Sequence, residues 1–118
     1  MKNQAIHKKL ANAFSGIHFT FQTENNFRIH ILVASLLVVL MIIIQPSLTW
    51  WALLLLSIGL VFAAELANTA IETLADHLHP DLHPSIGKVK DIMAGMVLVL
   101  SITAGLVGVL AFFDTLVQ

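Results

Sequence analysis

Glu65, Asn68, Glu72 and Asp76 recur at steps of three and four within one uninterrupted segment. At about 100° per residue, a helix carries all four within roughly 80° of one another. Three carboxylates stacked on one face repel each other and are costly to desolvate, and a bound cation removes both difficulties. Oxygen donors of this kind suit Mg²⁺, which takes one or two carboxylates and fills the rest of its octahedron with water and substrate phosphates. Phosphoryl transfer needs such a metal, a lysine or arginine on the phosphates, and a residue that orients or deprotonates the attacking hydroxyl. Lys90, Asp91, Arg28 and Glu24 can supply the remaining parts. Standing alone, Glu72 and Asp76 would read as helix-end or solvated residues, and Arg28 and Lys90 as side chains snorkelling to an interface. Their concurrence with Glu65 and Asn68 favours chemistry.

The elements that must hold these residues are apolar. Of 118 residues, 58% are hydrophobic and 11% charged, against about a quarter charged in ordinary globular domains. The solvent for most of the chain is therefore lipid. Three apolar stretches, Ile29 to Ile44, Leu48 to Ala64 and Ile92 to Phe113, become helices of spanning length once extended to their charged ends. The expected boundaries are 24–44, 48–76 and 88–113, in a single domain covering 1–118. Between the first two spans lies only Gln45-Pro46-Ser47, where Pro46 breaks the helix and forces a tight hairpin. Residues 1–23 place Ile6, Leu10, Ala13, Phe14, Ile17 and Phe21 on one side of a helix, with Lys2, Lys8, Lys9 and Asn12 elsewhere. That pattern is amphipathic, for lying along the membrane surface or packing on the bundle. The fold class is thus an all-α membrane protein, three transmembrane helices preceded by an N-terminal amphipathic interfacial helix.

Lys2, Lys8, Lys9 and Arg28 precede the first span, Lys88 and Lys90 precede the third, and only Asp114 follows it. The positive-inside rule therefore puts the N-terminus and the 65–91 segment in the cytoplasm and the C-terminus outside. In the third span, Ala94, Ser101, Gly105 and Gly108 share a face, and Ala104/Gly108 and Ser101/Gly105 are pairs of small residues four apart. Such pairs let helices approach closely, within one chain or between copies.

Several chemistries are excluded or disfavoured. A formal net charge of -1 gives no nucleic-acid footprint, and the absence of cysteine removes thiolate catalysis and cysteine metal sites. Gly87-Lys88 lacks the spacing of a phosphate-binding Walker loop, and the protein-kinase glycine loop is absent as well. His77, His79 and His83 have neither a helical i, i+4 spacing nor an evident fourth ligand for zinc, while His18 and His30 read as interface residues. A small transporter or oligomeric scaffold, its acidic stripe lining a cation path, is the competing class. Transport sites sit near the midplane, whereas every acidic residue except Asp114 falls at or beyond one end of the spans.

The segment Glu65-Leu66-Ala67-Asn68-Thr69-Ala70-Ile71-Glu72 resembles the E-x-x-N-(S/T)-A-I-E signature of the prokaryotic diacylglycerol kinase and undecaprenol kinase family. Lys90-Asp91-x-x-Ala94-Gly95 is similar to its second block, and Glu24-Asn25-Asn26-Phe27-Arg28 to its lead into the first span. Met93 and Met96 depart from the small residues usual there, as does the histidine-rich loop at 76–84. The resemblance implies an ATP-dependent transfer of the γ-phosphoryl group to the hydroxyl of a membrane lipid alcohol, at the cytoplasmic face of a bacterial inner membrane. It also implies a homotrimer with active sites between subunits. It gives Glu65 the role of general base and Glu24 and Glu72 the metal. Asn68, Lys90 and Asp91 become the nucleotide and active-site polar set, with Asp76 beside them and Arg28 steadying phosphate or headgroups. The run Arg28-Ile29-His30 looks closer to the undecaprenol kinase branch than to the diacylglycerol kinase branch.

Overall fold

The computed structural model describes residues 3–81 and 83–118. They form helices α1 (Ile6–Thr23), α2 (Asn25–Ile44), α3 (Leu48–Leu78) and α4 (Pro84–Val117). The charge counted at Lys2, and Leu82 of the histidine-rich loop, lie outside the described residues. Helices α2, α3 and α4 are each long and apolar enough to cross a membrane, and the protein is a membrane protein.

Local chemistry sets the boundaries, which differ from the expected ones at several ends. The surface helix begins at Ile6, after an extended Ala5 whose side chain makes no cap. Glu24 is not the first residue of the first span but an extended corner between α1 and α2, at φ -114° and ψ 107°. Its N–H closes α1 on the Thr20 carbonyl at 2.9 Å. The hairpin turns at Gln45, which takes the left-handed conformation, φ 54° and ψ 63°, so that Pro46 can follow without a clash. Helix α3 runs two residues past Asp76. Helix α4 starts at Pro84 rather than at Lys88, because proline suits a first helical position and the His83 ring accepts from the Ser85 N–H at 3.1 Å.

Helices α3 and α4 make the most extensive contact in the bundle. Leu54 is completely buried there, and Met41, Val61, Ala64 and Ala111 complete a narrow core. A Cβ at Gly108 would stand 3.7 to 3.8 Å from the side chains of Leu37 and Leu54. Gly108 therefore brings α4 against both other spans, whereas Gly105 faces outward with nothing beside it. The small-residue face thus serves packing within the chain at Gly108, a choice that the spacing alone left open. At the far end, Trp50 Nε1 donates to Asp114 Oδ2 at 2.8 Å and joins the start of α3 to the end of α4.

Most large apolar side chains point outward, among them Leu32, Leu36, Ile43, Leu56, Leu98 and Leu106. In water that surface would be a heavy liability, and in hydrocarbon it is the solvated face. Along α1, Ile6, Leu10, Phe14 and Phe21 are exposed while Thr20 is buried. Its C-terminal half therefore docks on the bundle, and its apolar stripe stays outward. Between α1 and α3 opens an apolar cleft of about 700 Å³, lined in part by Ile17, Phe19, Leu66, Ala70 and Leu74.

Candidate active site

The polar residues gather where α1 ends, α2 begins, α3 ends and α4 begins. Two antiparallel turns in succession make this inevitable, since the hairpin at 45–47 returns α3 to the level at which α2 started. Most of α3 is apolar up to Ala64, and its polar stripe starts only at Glu65. Thr69 and Thr73 turn their hydroxyls onto the carbonyls of Glu65 and Thr69, at 3.0 and 2.7 Å. These threonines are satisfied within their own helix and leave the stripe to the acidic and amide groups.

Glu65 is 2% exposed. Its Oε1 accepts from His30 Nδ1 of α2 at 2.5 Å, and on the other side of the ring Ser101 Oγ of α4 lies 3.4 Å from Nε2. A carboxylate this far from water requires a partner, and the imidazole is that partner. His30 is therefore no simple interface residue, and sequence reasoning passed over both it and Ser101. The signal was there in part, because an ionisable residue inside a span is a functional candidate by default. Which helix it would meet was not legible.

Glu24 and Glu72 come together from the α1–α2 corner and from α3. Burial pushes the Glu24 carboxyl above the ordinary carboxylate range, and so do the charge of Glu72, a hydrogen bond shared with it and the charge of Glu65. Two neighbouring carboxylates offer their oxygens to a hard cation, which would remove their repulsion. Among the described residues no three His, Asp or Glu side chains close around one point. A Mg²⁺ here would thus take two protein carboxylates and complete its octahedron with water and phosphate oxygens. One turn from both Glu65 and Glu72, the Asn68 side-chain carbonyl is buried with no hydrogen-bond partner. A buried acceptor in that condition calls for a donor from a ligand or a water.

Lys90 Nζ donates to Asp76 Oδ1 at 2.6 Å, linking the start of α4 to the end of α3, and the charge of Glu72 reaches it too. Asp91 is exposed beside it. The Arg28 guanidinium turns back to the Phe21 and Gln22 carbonyls at 3.0 and 3.2 Å, so at least part of its donor set holds the end of α1. Of the loop histidines, His83 caps α4 and His79 packs its ring against it, with centroids 5.1 Å apart. One end of the bundle therefore holds a buried carboxylate with a histidine partner, a second pair of carboxylates, an orphaned amide oxygen and a lysine, and an apolar cleft opens nearby. That combination fits phosphoryl transfer to an acceptor arriving from the bilayer.

Comparison with known proteins agrees. The profile of the family described as prokaryotic diacylglycerol kinase matches residues 11–112. An undecaprenol kinase of Bacillus subtilis is 34% identical over 109 residues, covering 92% of this chain and 89% of that protein. A diacylglycerol kinase of Haemophilus influenzae is 29% identical over 102 residues, 86% of each chain. A diacylglycerol kinase of Synechocystis is 33% identical over 97 residues, 81% of this chain and 55% of the longer relative.

Proposed function

The chain belongs to the prokaryotic diacylglycerol kinase family and is a lipid kinase, and from that premise we propose that it transfers the γ-phosphoryl group of ATP to the hydroxyl of undecaprenol. The observation that carries the reading is Glu65, a carboxylate 2% exposed where an apolar span meets a polar rim. Glu65 takes the proton of the lipid hydroxyl as that oxygen attacks the γ-phosphorus; the bond from phosphorus to the bridging oxygen breaks, and ADP leaves with the electron pair. Glu24 and Glu72 would hold Mg²⁺, which when bound would supply charge neutralisation at the phosphate oxygens and so lower the barrier to transfer. Asn68 places its orphaned amide carbonyl toward the nucleotide or its hydration. Lys90, steadied by Asp76, brings its ammonium to the phosphates, with Asp91 and Arg28 at the edge of the same site. The working unit is a homotrimer with the sites between subunits, for which the outward apolar faces of the spans leave ample room.

The choice of acceptor is supported by the relative named undecaprenol kinase, which aligns over nearly all of both chains, together with the Arg28-Ile29-His30 run. Exposed Ile29, Leu32, Val33 and Leu36 form an aliphatic wall that suits an isoprenoid chain and accepts an acyl chain as well. Apolar contact discriminates weakly, by about 1–3 kcal/mol per methylene even in a fitted pocket, so some phosphorylation of diacylglycerol is expected. Competing the two lipids at equal mole fraction in one bilayer system tests the assignment. The expected result is a higher kcat/KM for undecaprenol; a clearly higher value for diacylglycerol overturns the acceptor and leaves the lipid kinase standing.

The site faces the cytoplasm, across a bacterial inner membrane. Arg28, Lys88 and Lys90 lie at the site end of the bundle, Lys8 and Lys9 are on the helix that leads into it, and among the described residues Asp114 lies at the other end. A reporter fused after Gln118 is expected to register as external, and cytoplasmic activity of that fusion would reverse the orientation.

A further inference from the structure

His30 lies where all three spans meet. It is carried by α2, its Nδ1 reaches Glu65 of α3 at 2.5 Å, and its Nε2 faces the Ser101 hydroxyl of α4 at 3.4 Å. The carboxylate sets the role of one ring atom: it accepts, so Nδ1 donates to Oε1, while Nε2 faces a serine hydroxyl that can either donate or accept. The Glu65 side chain is 3% exposed and the imidazole 27%, so the ring is the more open member of the pair. A small cavity of about 80 Å³, lined by apolar residues of all three spans, adjoins His30 and Ser101. Apart from Ser101, the side chains in its walls offer the imidazole no acceptor to compete with Glu65. Among the described residues no hydrogen bond involves Glu65 Oε2. One oxygen of the carboxylate is thus held and the other remains for a substrate.

The geometry points to His30 as a positioning residue for the transfer: with Ser101 behind it, the ring holds Oε1 of Glu65 and presents Oε2 to the acceptor hydroxyl. The inference rests on the reading of Glu65 as general base. His30 itself touches neither the lipid nor ATP and acts only through the carboxylate. During transfer the lipid proton passes to Oε2, the new O–P bond forms as the old one to ADP breaks, and the Nδ1–H donation to Oε1 keeps the carboxyl from rotating away. A hydrogen bond between spans that served only to glue helices would affect folding and leave the chemical step alone.

The test uses the full-length protein in lipid bilayers, with ATP and undecaprenol as substrates and thermal unfolding measured on each variant. His30→Leu is expected to lower kcat by about 10- to 100-fold, the scale typical of lost positioning partners, with KM for ATP nearly unchanged. His30→Asn keeps an N–H donor at the place of Nδ1 and is expected to restore most of that loss. In a Glu65→Gln background, His30→Leu should cost nothing further in rate, since it has no base left to position. A His30→Leu enzyme with parental kcat overturns the inference while leaving Glu65 as base, and so does His30→Asn as slow as His30→Leu in a folded protein. An additional full loss in the Glu65→Gln background also overturns it. Parental turnover in Glu65→Gln alone removes the base assignment and this inference together.

Discussion

Glu65→Gln loses phosphoryl transfer by roughly 10²–10⁴ in kcat, the usual contribution of a positioned general base, or about 3–5 kcal/mol of transition-state stabilisation. The substitution is nearly isosteric, and the amide oxygen still accepts from His30 Nδ1, so the contact between α2 and α3 persists. The Thr69 hydroxyl bonds to the backbone carbonyl of residue 65, a contact the side chain does not enter. Folding and nucleotide binding should therefore resemble those of the parent, and the deficit should appear in single-turnover transfer. An amide has no basic lone pair to receive the hydroxyl proton, which is why the loss falls on chemistry. Near-parental single-turnover rates would place the base elsewhere.

Glu24→Gln and Glu72→Gln each raise the Mg²⁺ concentration needed for half-maximal rate, by roughly 10- to 100-fold. Each change turns one of the two carboxylates into a weaker, neutral amide ligand and also removes the Glu24–Glu72 repulsion, which adds to burial in holding the Glu24 carboxyl above its ordinary range. The two consequences separate experimentally. Loss of repulsion leaves the protein as stable as the parent or more so, whereas loss of a carboxylate weakens the metal and with it the apparent affinity for ATP. Saturating Mg²⁺ should recover much of kcat in either single variant, because one carboxylate remains, and the double variant should recover little. KM for the lipid should stay constant throughout. Mg²⁺ and ATP titrations that superimpose on the parent would move the metal site away from this corner.

The helical architecture was legible because hydropathy over 20 or so residues needs no partner to be read, and Pro46 marks the only break between the first two spans. The stripe at Glu65, Asn68, Glu72 and Asp76 was legible for a related reason, as helical spacing brings its members together within one element. Contacts between elements were harder. That Lys90 would meet Asp76, and that Glu24 would meet Glu72, followed only loosely from having all four at one end. His30 illustrates the limit: a single histidine in an apolar run has the same spacing whether it faces lipid or a carboxylate, and only the rotation of α2 against α3 decides. Arg28 is the converse case. Its place beside Glu24 reads as a phosphate ligand, yet the corner at Glu24 brings the end of α1 within its reach, and open carbonyls at a helix terminus compete for guanidinium donors. The early start of α4 was legible only in part: Pro84 is a usual first helical residue, whereas a histidine cap is not among the usual helix signals.

The turn at 45–47 bears on how the chain enters a membrane during synthesis. In the proposed orientation, Gln45, Pro46 and Ser47 are all that must emerge on the far side to complete α2 and α3, and none of them is ionised. Gln45 already spends its backbone N–H on Met41 and a side-chain N–H on Ile42, at 2.8 and 2.6 Å, which reduces the polar surface dragged through hydrocarbon. Two apolar helices joined this way can insert as one hairpin, without the step of translocating a hydrophilic domain. Asp114 alone carries a charge across with α4, and it meets Trp50 there, so the last span is anchored only after the hairpin has presented its indole.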